Sequence, residues 1–216
     1  INRSKDTSFA AAYFPDINMQ FTKTDGSIIT KRVPPTIGVI GAYANNDSIG
    51  NAWFAPAGNT RGVLSTAVSS ELGTLTRDNL DKLYDADINP INTTINYGVV
   101  IQGQKTLLKN LSALDRVNVR RLLIVVRRAV RNIANTLIFE PNRPETLSKF
   151  RSLVNPVLEN LKRQQGVSRY KVVIDNTTTT QADIENNTIR GKIYIQPVRV
   201  AEFIALDFNI TNQITD

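Results

Sequence analysis

Apolar and polar positions along this 216-residue chain follow two periods, one helical and one alternating. The helical one is clearest between residues 119 and 137. At about 100° per residue, Val119, Leu122, Leu123, Val125, Val126, Ala129, Val130, Ile133 and Leu137 fall within an arc of roughly 160°. Ser112 and Asp115 offer caps ahead of it, and the spacing predicts the longest helix of the chain here. A second helix is predicted over "PETLSKFRSLVNPVLENLKRQQG", opened by Pro144, kinked at Pro156 and stopped by Gly166. A shorter one runs from Thr76, a fitting N-cap, to Tyr84, with Asp78 facing the positive helix end.

The alternating or continuous apolar stretches predict strands. "SFAAAYFPDI" reads as a short buried strand ended by Pro15, and "QFTKTDGSIITKRVPP" as a hairpin turning at Asp25-Gly26. "TIGVIGAYANND", with small residues at Gly38, Gly41, Ala42 and Ala44, reads as a short helix packed closely on a sheet and leaving through a turn at Asn45-Asn46-Asp47. From Gly50 to Pro90 the chain otherwise reads as loop, and "YGVVIQG" as a central strand. "YKVVIDN" is a buried strand, "TQADIENN" a polar helical turn, and "TIRGKIYIQPV" a strand with Ile189, Ile193 and Ile195 on one face. The chain closes on "IALDFNIT", where Ile204, Leu206, Phe208 and Ile210 share a face. Strands at 97–103, 171–175, 189–196 and 203–210 between long helices predict an α+β fold: a mixed β-sheet with packed helices and an extended C-terminal strand arm.

That last strand needs a neighbour. It either forms the edge of its own sheet or adds to the sheet of another subunit, where main-chain hydrogen bonds give affinity and alternating side chains give register. Pro197 lacks an N–H and marks a natural place for the chain to leave its own ladder.

Composition narrows the chemistry. The chain has no histidine and no cysteine, which removes thiolate nucleophiles, imidazole bases and ordinary zinc, haem or iron–sulfur ligand sets. Absent cysteine also mildly favours a reducing compartment during folding. No apolar run approaches the roughly 20 residues of a membrane span. The chain starts at Ile1 without an initiator methionine or signal-peptide pattern, which predicts a portion of a longer protein. The acid pairs Asp85/Asp87 and Asp183/Glu185 lack calcium-loop spacing, and the glycines of "GVIGAYANNDSIG" lack the ending of a phosphate loop. Neither catalytic, cofactor-binding nor metal-ligating residues are assigned, and no enzymatic function has support.

Charge adds one feature. The net charge is +7, and the segment from Lys105 to Arg131, with eight basic residues and the single acid Asp115, accounts for all of it. Arg116, Arg120, Arg121, Arg127, Arg128 and Arg131 lie opposite the apolar arc. They form either a solvated face paired with nearby acids or a basic docking face for an acidic partner. Val117, Ile124 and Ala134 lie between them where a single-strand binder would carry aromatics, so an acidic protein surface fits better than nucleic acid.

Nine stretches in order, "SFAAAYFPDI", "VPPTIGVIGAYAN", "NAWFAPAG", "RGV", "DINPI", "VNVRRLLIVV", "FEPN", "TQADIENN" and "QPVRVAEFIALDFNI", resemble the C-terminal conserved domain of contractile phage tail sheath proteins over residues 7–211. The resemblance implies a structural subunit that stacks in a helical homo-oligomer of rings around an inner tail tube. On triggering it contracts to drive the tube through the host envelope for genome delivery. Partners implied are other sheath subunits, the tube, and baseplate and tail terminator proteins, with no direct nucleic-acid contact and no cofactor. The location implied is the virion tail, after assembly in the host cytoplasm.

The family's inner-layer domain would correspond to residues 1–199 and its strand-exchanging arm to 200–216. The arm's anchors would be Phe203, Ile204, Leu206, Phe208 and Ile210. Its hinge would be Pro197, Val198 and Arg199, within the motif that also holds Ala201, Glu202 and Phe203, and Val200 stands where many relatives have proline. Two alternatives stay open: the sheath of a phage-derived bacterial injection particle, and, from a different class, a basic nucleic-acid-binding module.

Overall fold

The computed structural model describes residues 5–175 and 177–202. In chain order the elements are β1 (Ala12–Phe14), β2 (Ile17–Thr22), β3 (Ile28–Val33), α1 (Pro35–Ile49), α2 (Gly58–Arg61), β4 (Ala67–Ser70), α3 (Arg77–Asp85), β5 (Ile88–Thr94) and β6 (Gly98–Ile101). After a 3-10 turn at Ala113–Asp115 come α4 (Val117–Asn135), α5 (Pro144–Arg163), β7 (Val167–Val173), α6 (Gln181–Glu185) and β8 (Lys192–Pro197). The fold is α+β, as expected. The strands do not join in one sheet, however; the described residues form three small ones, ordered β1-β5-β6, β3-β2-β4 and β7-β8.

The first sheet is mixed: β1 runs parallel to β5, with Ala12 opposite Ile88, and β6 runs antiparallel to β5, with Ile91 opposite Ile101. β5 rather than β6 is therefore the central strand. Its sequence, INPINTT, looks like a turn because of Pro90 and two asparagines, yet its first five residues are buried. The asparagines replace the missing backbone pairs. Asn89 donates through Nδ2 to Ala12 O at 2.9 Å and to Lys105 O at 2.8 Å, and its Oδ1 accepts from Lys105 N. Asn92 Oδ1 accepts from Leu75 N at 2.7 Å. A buried polar group so satisfied costs little, which is how a turn-like sequence becomes a core strand.

The hairpin is present as predicted. β2 and β3 pair from Ile17–Val33 to Thr22–Ile28, and Gly26 takes the positive φ of 81° that its turn requires. The helix that follows is longer than expected, because Asn45-Asn46-Asp47 does not exit as a turn. Asn46 is fully buried inside α1 and donates to Asn51 O and Phe54 O, which ties the next loop onto the helix. Gly38 allows α1 its close approach to the sheet, since a Cβ there would lie 2.6 Å from Ile17 Cδ1.

α3 matches its prediction, with the Thr76 hydroxyl accepting from Asn79 N. α4 spans 19 residues and α5 spans 20, so α4 is the second longest of the helices. Ser112 caps the 3-10 turn instead of α4, whose N-cap is Arg116 without a side-chain bond. Leu137 is buried but lies beyond the helix end. At the end of α5, Gln165 rather than a glycine takes the left-handed conformation, at φ 60°. Gly166 N donates to Leu161 O and Gln165 N to Lys162 O, which closes a Schellman motif. Gly166 is small for another reason: a Cβ there would press on the Trp53 indole at 3.0 Å.

Two apolar cores result. One holds Ile17, Met19, Val39, Leu64, Ile91, Val99 and Ile101 between α1 and the first two sheets. The other holds Trp53, Leu122, Val126, Val154, Leu158, Leu161 and Val167, packing α4 and α5 on β7-β8. Ile193 and Ile195 line this second core from β8, whereas Ile189 precedes the strand. Trp53 fixes the loop to the second core by donating from Nε1 to Gln164 O at 3.0 Å, while Asn118 Nδ2 donates to its carbonyl.

Candidate docking face and arm root

The apolar arc of α4 faces the second core, which turns its arginines outward, and the chain then divides them. Arg116 is engaged: its Nε lies 2.8 Å from Glu202 Oε1, its Nη1 lies 3.4 Å from Asp115, and its Nη2 donates to the Tyr84 hydroxyl at 3.1 Å. Arg120 donates to Ser8 Oγ and stacks 4.0 Å from the Phe9 ring centre. Burial, and then the nearby Arg127 charge, lower its pKa from the usual arginine value. Arg121 donates from Nη2 to both carboxylate oxygens of Asp47 at 2.6 Å and lies 4.8 Å from the Tyr43 ring.

Arg127, Arg128 and Arg131 are exposed and form no ion pair among the described residues. With Phe9, Leu123 and Ile124 they line a groove of about 300 Å³. Its lining combines apolar and cationic side chains, which suits an acidic segment carrying an apolar side chain.

A second cleft, of about 310 Å³, lies beneath the proposed hinge and is lined by Trp53, Phe54, Arg61, Gln165 and residues 197–200. Pro197 closes β8 opposite Val167, and Val198 N still donates to Gly166 O at 3.2 Å, so the chain leaves the ladder at Arg199. Ala201 and Glu202 follow, and Glu202 is gathered in by Arg116, Gln104 and Tyr84. The sequence marked Glu202 only as one letter of a motif; its partners lie 86 to 118 positions away, beyond any local pattern. Phe203, Ile204, Leu206, Phe208 and Ile210 lie outside the described residues.

One member of each acid pair is engaged structurally. Asp87 pairs with Lys105 at 3.3 Å. Asp183 belongs to a capping box with Thr180 and bonds Arg190 Nε at 2.6 Å, and these contacts, Arg190 foremost, hold its pKa down at about 2. No cluster of three or more possible metal ligands occurs among the described residues, and no helix there is long and apolar enough to cross a membrane.

Residues 110–211, which include α4, α5, β7 and β8, match the phage tail sheath C-terminal domain. The similarity extends well beyond that segment. The tail sheath protein of Vibrio phage KVP40 is 34% identical over 184 residues, 85% of this chain. The chain belongs to the phage tail sheath family. The tail sheath protein of Enterobacteria phage T4 is 30% identical over 94% of the chain. Among solved structures, the sheath complex of an extracellular contractile injection system in its contracted state superposes over 95% of this chain and 57% of its own, with a TM-score of 0.83 and 27% identity. The chain spans 27% and 32% of the lengths of the two phage sheath proteins.

Proposed function

We propose that this chain is the part of a contractile tail sheath subunit that polymerises around the inner tail tube, and whose rearrangement drives the tube through the host envelope for genome delivery. The observation that carries this reading is the similarity to phage sheath proteins across nearly the whole chain, on a fold shared with a contracted sheath. In this reading residues 1–199 are the core and 200–216 the arm, with Phe203, Ile204, Leu206, Phe208 and Ile210 entering a neighbouring subunit's sheet and Pro197, Val198 and Arg199 at its base. Among the described residues β7 and β8 pair only with each other, which supports it, since each then has an edge that an added strand can join.

Partners are further sheath subunits, the tube, and the baseplate and tail terminator at the two ends of the stack. The subunit works in the virion tail after assembly in the host cytoplasm, needs no cofactor and catalyses no reaction. Arg127, Arg128 and Arg131 present the basic docking face to an acidic surface of a neighbour or of the tube, while Arg116, Arg120 and Arg121 hold the chain's own segments in place. The sheath of an injection particle is the second reading, favoured by the solved neighbour. The ion pairs of Arg116 and Arg121 weaken the nucleic-acid alternative, because they compensate two of the six charges offered to phosphates.

Negative-stain microscopy of the full-length subunit expressed alone tests the main reading. Tubes or stacked rings are expected, and monomers alone contradict it. Deleting residues 203–216 should leave a folded monomer that no longer builds long sheaths; normal sheaths would refute strand exchange.

A further inference from the structure

The chain between the end of β8 and residue 203 has no regular structure, yet it is fastened. Glu202 Oε1 receives Arg116 Nε at 2.8 Å and Gln104 Nε2 at 3.2 Å, and its Oε2 receives the Tyr84 hydroxyl at 3.3 Å. Its side chain is 20% exposed, on a backbone that is otherwise open to solvent. The three donors come from separate parts of the fold: α3, the link between β6 and α4, and the start of α4.

Each donor is itself held. The Tyr84 hydroxyl accepts from Arg116 Nη2 at 3.1 Å, so its single proton is directed at Glu202. The Lys105 ammonium lies 3.5 Å from the Tyr84 ring centre and donates to the Tyr84 carbonyl at 2.7 Å. Gln104 O accepts from Val117 N at 2.8 Å, which locks the link to the first turn of α4. A carboxylate meeting one charged and two neutral donors, each carried on a held segment, forms the stronger class of hydrogen bond, and the ordering cost falls mostly on the incoming segment.

We propose that Glu202 is a positioning residue that fixes where the C-terminal arm departs. Residues 199–202 move with the core, and the pivot of the arm lies beyond Glu202 instead of at Pro197–Arg199. This rests on the reading of residues 200–216 as an arm and moves its pivot to the far side of Glu202. Its consequence is that α3 and α4 set the direction in which the first arm residue leaves. A lattice that must stay connected through a large rearrangement needs that direction defined in every subunit.

The absence of cysteine allows a clean test. In the complete chain, Asp81→Cys on the exposed face of α3 and Ala201→Cys beside the anchor carry spin labels, and pulsed dipolar spectroscopy reads the distance distribution between them. A single narrow distribution is expected with Glu202 present, lost in Glu202→Ala and partly retained in Glu202→Gln, which keeps the size and one acceptor but not the charge. Thermal melting of each variant establishes that the core is intact. An unchanged distribution in Glu202→Ala overturns the proposal. Assembly of the full-length Glu202→Ala subunit separates the two ideas: a broadened distribution with normal sheaths refutes the arm's role in assembly and leaves the anchor standing, whereas broadening with irregular or shortened sheaths supports both.

Discussion

Arg116 caps α4 and stands with Arg120 and Arg121 at its N-terminal half, while Arg127, Arg128 and Arg131, with the same side-chain chemistry, stand on its C-terminal half. The first three are covered by the chain itself: residues 8 and 9 lie over Arg120, Asp47 reaches Arg121, and Glu202 reaches Arg116. The last three are exposed, line a groove with Phe9, and meet no acid among the described residues. A row of like charges is thus two features. One half ties distant parts of the chain to α4, and the other half is exposed to solvent.

The largest effect should come from the underside that both halves share. Leu122, 1% exposed, anchors α4 in the second core, and Leu122→Ala should cost about 2–5 kcal/mol by urea unfolding; a loss under about 1 kcal/mol would mean the helix is not seated as described. Next comes the difference between halves. Arg116→Ala leaves the Glu202 carboxylate without its charged partner and should cost about 1–3 kcal/mol, whereas Arg131→Ala should stay within about 0.5 kcal/mol. Equal losses would erase the distinction.

A smaller effect is expected at Arg121, because Asp47 is half exposed: Arg121→Ala should cost about 0.2–1 kcal/mol, and less in high salt. The smallest concerns an arginine pair away from α4. Asp183 has its pKa depressed from 3.8 to about 2 by Arg190 and the Thr180 cap. Its contribution is therefore present above pH 3.8 and lost as pH falls towards 2. Carboxyl chemical shifts of Asp183 should titrate below those of the other aspartates, and an ordinary midpoint would contradict the capping geometry.

The apolar stripe of α4, the α5 helix with Pro144 at its first turn, the β2-β3 hairpin and the Thr76 cap were legible because each signal is local. β5 was not, since Pro90, Asn89 and Asn92 signal a turn and only contacts with Ala12, Leu75 and Lys105 make it a strand. Separate sheets were invisible for a similar reason: strand pairing depends on partners far along the chain. The arginine face was legible as a stripe and illegible as two halves, because Ser8, Asp47 and Glu202 come to α4 through the tertiary fold. For the same reason, Arg120 is a poor place to test docking, as any change there also disturbs residues 8 and 9.

The most direct test is therefore microscopy of the full-length subunit carrying Arg127→Glu, Arg128→Glu and Arg131→Glu beside the unaltered protein, with melting curves to show that both are folded. The account predicts long sheaths from the unaltered subunit and folded, unassembled or short particles from the variant. Sheaths of normal length and order from the variant would contradict the docking role of the free arginines, and no sheath from the unaltered subunit would contradict the proposed function itself.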